Sequence, residues 1–172
     1  DVSVCAHFGF HGGMAMAAMA FSIREGTTTF DPKQSKITGT RFTEMIEELR
    51  RGDASGCMDI TEPGAGSDLA GLTTRAMSDG DHFVVNGQKV WTSGAHDADV
   101  LLAFVRTDPD VPKHRGISAL IIDTDTPGLE RRPFPDLMGP DHLDFNEVFF
   151  DDVVVPRRNL VGDLNDGWRI CT

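Results

Sequence analysis

The chain has 172 residues, of which 40% are hydrophobic and 25% charged, so it can bury one core or a small pair of cores. Its formal net charge of −11 would repel nucleic acid and anionic membrane surfaces, and we expect neither as a partner. No apolar run approaches the roughly 20 residues that cross a bilayer, which argues against membrane insertion. The apolar stretch at 14–21 is too short for a signal peptide and follows no basic region.

Cysteine and histidine usage limits the redox compartment and the metal chemistry. The three cysteines are far apart and form no CxxC pair: Cys5, Cys57 and Cys171. This pattern favours reduced thiols over a disulfide framework and predicts a cytoplasmic protein. His7 and His11 are four residues apart but lack a third ligand nearby, and the other histidines show no metal-ligand spacing. We therefore expect no metal site.

Two helices are predicted in the first third of the chain. Residues 12–25 are rich in Ala and Met, contain no Pro and run into Gly26. Residues 27–38 contain Asp31-Pro32 and small polar residues, which predict a loop. Residues 41–51 are predicted as the second helix, since apolar side chains recur at three- and four-residue spacing before Gly52: Phe42, Met45, Ile46 and Leu49.

The pattern changes after residue 55 to short β-rich runs separated by Gly, Pro, Asn and Asp. We predict strands near 57–61, 71–77, 82–85, 88–93, 99–106, 116–123, 129–133 and 144–155. Their regular spacing is typical of an antiparallel barrel or a pair of packed sheets. Residues 162–172 resemble the entrance of another helix.

The segment ITEPGAGSD at 60–68 is a polar, Gly-rich bend that follows the first strand. Pro63 fixes one φ angle, whereas Gly64 and Gly66 allow backbone N–H groups to approach a ligand closely. Thr61 and Ser67 add hydroxyls. The segment could be taken for half of a dinucleotide fingerprint, but the third glycine is missing at the required spacing. The residues that follow predict a strand, which also disfavours such a site.

The segment NGQKVWTSG at 86–94 predicts a hairpin, because Asn86-Gly87 suits a two-residue type I′ turn between HFVV and QKVW. The second strand carries Trp91, and Ser93 lies two residues on and therefore on the same face. Considered alone, Trp91 is more often a core residue than a ligand-binding one. Together, the aromatic face, the hydroxyl and the Gly-rich loop would suit a flat heteroaromatic cofactor that bears phosphates.

These segments, in this order, resemble the acyl-CoA dehydrogenase family of flavoproteins. The family carries a Thr-Glu-Pro-x-x-Gly-Ser-Asp segment and a downstream Asn-Gly-x-Lys-x-Trp segment, which match 61–68 and 86–91. RGISALIIDTDTPGLE at 115–130 and FNEVFFDDVVVPRRNLVGDLNDGW at 145–168 resemble two further family motifs. The resemblance implies an α+β fold: the end of an N-terminal helical domain at 1–53, an antiparallel β-barrel or sandwich middle domain at 54–161, and the start of a truncated C-terminal helical domain at 162–172.

The resemblance also implies FAD as the cofactor and gives roles to the site residues. Trp91 would pack against the isoalloxazine, Ser93 would hydrogen-bond near its N5, and Thr61 with the Ile60 backbone would face the N1–C2 edge. Gly66 and Ser67 would hold the diphosphate or the neighbouring acyl-CoA substrate. The implied cofactor-binding set is Met58, Ile60, Thr61, Gly66, Ser67, Trp91, Thr92 and Ser93, with Ser67 also binding substrate.

Two positions depart from the family pattern. The family often has Thr where this chain has Ser93, so the hydroxyl is kept. It more often has an apolar residue where this chain has Asp59, which changes the local packing.

The implied reaction is the FAD-dependent oxidation of an acyl-CoA thioester to the trans-2-enoyl-CoA, with electrons passed to an electron-transfer flavoprotein. The family's glutamate base would lie beyond Thr172, so no catalytic residue is assigned within the chain. Glu147 and Asp151-Asp152 are expected to be solvated. An acyl-CoA oxidase or flavin-dependent monooxygenase on the same fold remains open, as does a non-catalytic subunit or domain. A homodimer or homotetramer is implied by the family.

Overall fold

The computed structural model describes residues 39–172, which begin with a helix, α1, at Thr40–Arg51. The apolar side chains predicted for its buried face are indeed buried: Phe42, Met45, Ile46 and Leu49. Gly52 ends the helix in the left-handed conformation, with φ 75°, and its N–H donates to Leu49 O at 3.1 Å. The helix predicted at 12–25 and the loop at 27–38 lie outside the described residues.

The described residues continue with eight strands and a short final helix. The strands are β1 Gly56–Asp59, β2 Arg75–Asp79, β3 His82–Ser93, β4 Val100–Arg106, β5 Ile117–Asp123, β6 Leu129–Phe134, β7 Phe145–Pro156 and β8 Leu160–Val161; the helix, α2, is Gly167–Cys171. The strands form one sheet in the order β6-β7-β3-β2-β4-β5-β8, with β1 beside β4. Among the pairings between these eight strands, β1–β4 and the single β2–β4 pairing are parallel and the others are antiparallel, which confirms a mostly antiparallel β-domain.

The sheet buries apolar side chains on both faces of its centre. In β4, Leu101, Ala103 and Val105 join one apolar cluster with residues of β3 and β7. The alternate residues Val100 and Phe104 join a second cluster, in which β4 and β5 pack against α1. This two-sided burial explains why β4 is a continuous apolar run in the sequence. The described residues include no helix long and apolar enough to span a membrane.

The predicted hairpin at Asn86-Gly87 is wrong, because β3 runs through both residues without a turn. Gly87 has φ 151°, and a Cβ there would lie 2.6–2.8 Å from atoms of Thr74. Asn86 Nδ2 donates to Asp152 Oδ1 at 2.9 Å, across a break in the register between β3 and β7. The Asn-Gly pair therefore serves a bulge and a close backbone approach. The hairpin lies one strand earlier, between β2 and β3, where Gly80 has φ 61°.

Several predicted strand limits also change. The strand predicted at 71–77 begins at Arg75, because Leu69–Gly71 forms a 3₁₀ turn. The strand predicted at 57–61 ends at Asp59, and the short strand β8 at Leu160–Val161 was missed. The final helix begins at Gly167, within the predicted range 162–172.

Candidate functional site

The two motifs singled out in the sequence lie against each other at the end of β3. The backbone N–H of Val90 donates to Thr61 O at 2.9 Å, and Lys89 Nζ donates to Ile60 O at 3.0 Å. These bonds hold the bend that follows β1 alongside the strand that carries Trp91. Ile60 and Thr61 of the bend are therefore neighbours in space of the two residues that precede Trp91.

The Trp91 side chain lies at the surface instead of in the core. It is 58% exposed, which contradicts the core interpretation of this tryptophan taken alone. Its backbone has φ 63°, within a shift in register between Lys89 and Thr92 along β7. A large residue in this left-handed region is an outlier that the surrounding structure has to hold in place.

Two phenylalanines that the motifs did not indicate support the Trp91 ring. The edge-to-face contacts have centroid distances of 5.1 Å to Phe134 and 5.5 Å to Phe145. Phe134 and Phe145 are paired neighbours in β6 and β7. Phe134 and Phe145 could have been predicted as a pair, because they lie at the end of one predicted strand and the start of the next. Residues in such positions pair when the two strands are antiparallel neighbours.

Three hydroxyls of the two motifs are unused. Thr61 and Ser93 are half-buried and Ser67 is exposed, and none of these hydroxyls has a hydrogen-bond partner within residues 39–172. Thr92 differs, because it is buried and its Oγ1 donates to Asp59 Oδ1 at 2.6 Å. Met58 and Ile60 are half-buried and pack against the cluster shared with α1.

The Gly-rich bend is a tight turn with open space around its glycines. Glu62 and Ala65 exchange backbone hydrogen bonds of 3.1 and 3.2 Å around Pro63 and Gly64. A Cβ added at Gly64 or Gly66 would meet no atom within 4 Å. No contact among the described residues therefore requires glycine at either position, which leaves room for a ligand group beside the backbone.

An ion pair lies buried behind this surface. Lys89 Nζ donates to Glu62 Oε1 at 3.1 Å, and the two side chains are 0% and 3% exposed. Glu62 also accepts from the backbone N–H groups of Thr73 and Thr74 at 2.6 and 2.9 Å. Burial alone would raise the pKa of Glu62, but the Lys89 charge and these donors outweigh it and lower the pKa to about 2. The pair thus fastens the bend to β3 and to the start of β2.

A second carboxyl, Asp59, lies beside the same lysine and is fully buried. Its Oδ1 accepts the Thr92 hydroxyl, and its Oδ2 has no hydrogen-bond partner within the described part of the chain. Burial raises its pKa to about 6, against the lowering effects of the Lys89 charge and the Thr92 hydrogen bond. Asp59 departs from the family pattern in the sequence, but the sequence gives no sign that its carboxyl is buried beside Lys89.

The surface suits an aromatic ring that carries phosphates. It combines an exposed indole, three hydroxyls free to bond a ligand, and open space over the Gly64-to-Ser67 backbone. The three carboxylates expected to be solvated lie elsewhere: Gln88 Nε2 donates to Glu147 at 3.3 Å, and Asp151 and Asp152 are exposed. Residues 39–172 contain no group of three or more metal-ligating side chains.

Comparison with known proteins gives one consistent family. A family model described as acyl-CoA dehydrogenase, middle domain, matches residues 57–153. The chain is 51% identical over 129 residues to acyl-CoA dehydrogenase FadE29 of Mycobacterium tuberculosis, over 75% of this chain and 33% of the relative. It is 47% identical over 133 residues to FadE34 of the same organism, over 77% of this chain and 18% of the relative. The chain therefore spans a third or less of these two curated relatives.

Solved structures show the same likeness. The Tcur3481-Tcur3483 steroid ACAD superposes with a TM-score of 0.76 at 36% identity, over 93% of this chain and 43% of that chain. The prolyl acyl carrier protein oxidase AnaB superposes with a TM-score of 0.71 at 30% identity, over 77% of this chain and 35% of that chain.

Proposed function

The chain belongs to the acyl-CoA dehydrogenase family, and we propose that the whole protein is an FAD-dependent enzyme that oxidises an acyl-CoA thioester to the trans-2-enoyl-CoA. Electrons pass to an electron-transfer flavoprotein. The observation that supports the proposal is the direct bonding of the two motifs: Val90 N–H donates to Thr61 O and Lys89 Nζ donates to Ile60 O, so the strand that carries Trp91 and Ser93 runs alongside the bend.

We assign the cofactor to this surface and give each residue one task. FAD, when bound, accepts a hydride from the β-carbon of the substrate. Trp91 supports the ring, Ser93 donates a hydrogen bond near N5, and Thr61 with the Ile60 backbone faces the N1–C2 edge. Donors at that edge favour negative charge on the reduced ring.

Four further residues complete the proposed set. Gly66 and Ser67 hold the diphosphate or the acyl-CoA, because their backbone and the Ser67 hydroxyl are open to solvent. Met58 supports the bend through its packing, and Thr92 contributes through its main chain. The α-proton is removed by a glutamate of the C-terminal helical domain, outside this chain.

The proposed domain division follows the family. Residues 1–53 end the N-terminal helical domain, 54–161 form the middle β-domain, and 162–172 begin the C-terminal helical domain. The proposed assembly is a cytoplasmic homodimer or homotetramer, with an acyl-CoA as substrate and no nucleic acid or membrane partner.

An acyl-thioester oxidase is the second candidate, favoured by the similarity to AnaB. The two candidates differ in the fate of the electrons. A dehydrogenase reduced by substrate reoxidises slowly in air and quickly with an electron-transfer flavoprotein, whereas an oxidase reoxidises quickly in air.

The test uses the full-length protein, purified and loaded with FAD. Anaerobic addition of acyl-CoA thioesters should bleach the flavin absorbance and yield the enoyl-CoA product. Admission of air then separates the two candidates by the rate at which the absorbance returns. Stable flavin binding without bleaching by any acyl-CoA tested would contradict both candidates and favour a non-catalytic role.

A glycine variant tests whether the bend binds the cofactor. Since a Cβ at Gly66 meets no protein atom, Gly66→Ala should leave the melting temperature unchanged and lower flavin content. Equal flavin content in Gly66→Ala and wild-type protein would remove the bend from the site.

A further inference from the structure

Thr92 is fixed by two hydrogen bonds, one from its side chain and one to its main chain, within the strand segment that carries Trp91 and Ser93. Its hydroxyl donates to Asp59 Oδ1 at 2.6 Å, and its carbonyl accepts from Asn146 Nδ2 at 3.0 Å. The residue lies between Trp91, whose φ is 63°, and Ser93. A tryptophan in the left-handed region persists only where neighbouring contacts hold it there. The two bonds to Thr92 fix the residue that directly follows this strained position.

Burial of the Asp59 carboxyl is unfavourable, and its bond to Thr92 is the interaction that explains an aspartate at this position. It is fully buried, and its Oδ2 has no partner among the described residues. An apolar side chain would avoid this desolvation cost but could not accept a hydrogen bond. A carboxylate accepts a shorter and stronger bond than a neutral group. Asp59 therefore lowers the stability of the fold but gives Thr92 a strong hydrogen-bond acceptor.

The charges around Asp59 make this hold dependent on its ionisation. Lys89 from β3 favours the carboxylate, whereas Glu62 from the bend opposes it. The buried Cys57 thiol lies on the same strand and feels both Asp59 and Arg131 of β6. Burial is the largest influence and raises the pKa of Asp59 to about 6, so the carboxylate is neutralised in mildly acidic solution.

We propose that Asp59 is a positioning residue, which acts through Thr92 to fix the backbone that presents the Trp91 indole and the Ser93 hydroxyl to the flavin. This inference rests on the proposed function for the identity of the ligand. The orientation of Trp91 can be measured without any ligand.

The first experiment follows Trp91 in full-length protein by fluorine NMR. The protein is labelled with fluorotryptophan and stripped of flavin, and the Trp91 signal is identified by its loss in Trp91→Phe. Thr92→Val removes the hydroxyl and keeps the shape, so it should shift or broaden the Trp91 signal and weaken flavin binding about tenfold. Thr92→Ser restores the donor and should bring both values back towards wild type.

The matched control is Thr124→Val, which removes a half-buried hydroxyl that donates to Ala98 O at 2.8 Å, outside this site. It should leave the Trp91 signal in place. A folded Thr92→Val protein with an unchanged Trp91 signal would overturn the proposal. If Thr92→Val does not fold, the pH experiment with Asp59→Asn decides.

The second experiment is a pH titration of the same signal. In wild-type protein the Trp91 signal should move with a midpoint near pH 6, and in Asp59→Asn it should not move over that range. A purely structural role would leave the signal independent of pH, and that result would overturn the proposal. Failure of the wild-type protein to bind FAD would refute the proposed function alone, because the Trp91 titration would still report whether Asp59 positions this segment.

Discussion

The buried Lys89 side chain links the bend at 60–68 to β3, and its charge balances two carboxyls that water cannot reach. Lys89 lies 3.1 Å from Glu62 and influences the pKa values of both Glu62 and Asp59. A buried ion is tolerated when a partner and hydrogen bonds replace its hydration. The pair therefore defines the bend, even if it adds little net stability over an apolar pair.

Lys89→Met should strongly destabilise the protein. Because the substitution removes the Lys89 charge from the buried Glu62 and Asp59, we expect a loss of about 3–5 kcal/mol in the free energy of unfolding. Urea denaturation at pH 7 measures it. Lys113→Met is the control: its bridge to Asp68 is exposed on both sides, and its loss should be at most about 1 kcal/mol. Equal losses in the two variants would contradict the assigned role of Lys89.

The stability difference between wild-type protein and Asp59→Asn should depend on pH. The folded protein raises the pKa of Asp59 to about 6, so it binds this proton more tightly than the unfolded chain does. The stability from Asp59 is therefore complete below the unfolded pKa and is lost as the pH rises through about 6.

From pH 5 to pH 8, wild-type protein should lose about 1–2 kcal/mol relative to Asp59→Asn. Glu62 does not obscure the comparison, because its pKa of about 2 lies below this range. Urea denaturation at several pH values measures the difference. A difference that is constant between pH 5 and pH 8 would show that Asp59 is not titrating there.

The two tryptophans should differ in their importance for the cofactor. Trp91→Ala should reduce flavin retention in full-length protein more than Trp168→Ala, because Trp168 is half-buried and contacts His114 in an edge-to-face pair at 4.5 Å. Absorbance of the purified variants gives their flavin content per protein. Equal content in both would remove the reason for placing the flavin ring against Trp91.

The motif residues were identified from the sequence, whereas their support was not. Trp91, Ser93 and Thr61 belong to local patterns that a reader of the sequence can recognise. The Glu62–Lys89 pair joins residues 27 apart and becomes visible only when the strands are placed side by side. Periodicity reports which face of a strand is buried but not which charged residues share a buried space.

At the scale of the element, β3 is the part of the fold that the sequence described least well. Asn-Gly is a strong hairpin signal, since both positions tolerate positive φ. In β3 the same pair meets two other requirements, a side-chain bond to Asp152 and a close approach of Thr74. Tertiary contacts determine that Asn86-Gly87 forms a bulge and not a turn, and local propensity does not contain this information. By contrast, α1 was predicted well because its burial follows the helical period, and β4 because it is a continuous apolar run that is buried on both faces.

Gly87→Ala should therefore destabilise the sheet. The added Cβ would meet Thr74 at 2.6–2.8 Å on a backbone with φ 151°, so we expect a cost of about 2–4 kcal/mol. Gly64→Ala is the control, since its Cβ meets no atom within 4 Å, and it should change stability by less than about 0.5 kcal/mol. Thermal unfolding of both variants measures the costs. A wild-type melting temperature for Gly87→Ala would restore the possibility of a turn at this position.

For the whole molecule, helix and sheet form one packed body within residues 39–172. The apolar face of α1 shares a cluster with β4 and β5. The buried Arg41 joins the helix to the end of β5, since its Nη2 lies 2.7 Å from Oδ1 of the partly exposed Asp123. The proposed domain boundary at residue 53 is therefore not a break in packing, because α1 and the β-domain share one apolar cluster. The proposed site is open to solvent on the side of Trp91, whose side chain is 58% exposed.

The 172-residue chain alone should bind FAD weakly or not at all, and should not dehydrogenate acyl-CoA at a useful rate. The β-domain supplies one wall of the proposed site, and the family places the remaining wall and the glutamate base in the C-terminal helices and a second subunit. With the base outside this chain, as proposed, the chain alone would lack a contribution of roughly 10²–10⁴-fold to proton abstraction. Access of water to the open side would lower the rate further.

Complementation is the measurement. The chain is mixed with a separately expressed C-terminal portion of the protein, and enoyl-CoA formation is followed with an artificial electron acceptor. Activity should require both pieces, and Trp91→Ala in this chain should reduce it, whereas Trp168→Ala should reduce it less. Full activity from the 172-residue chain by itself would place the base among its own carboxylates and overturn the assignment of this chain as one wall of the site.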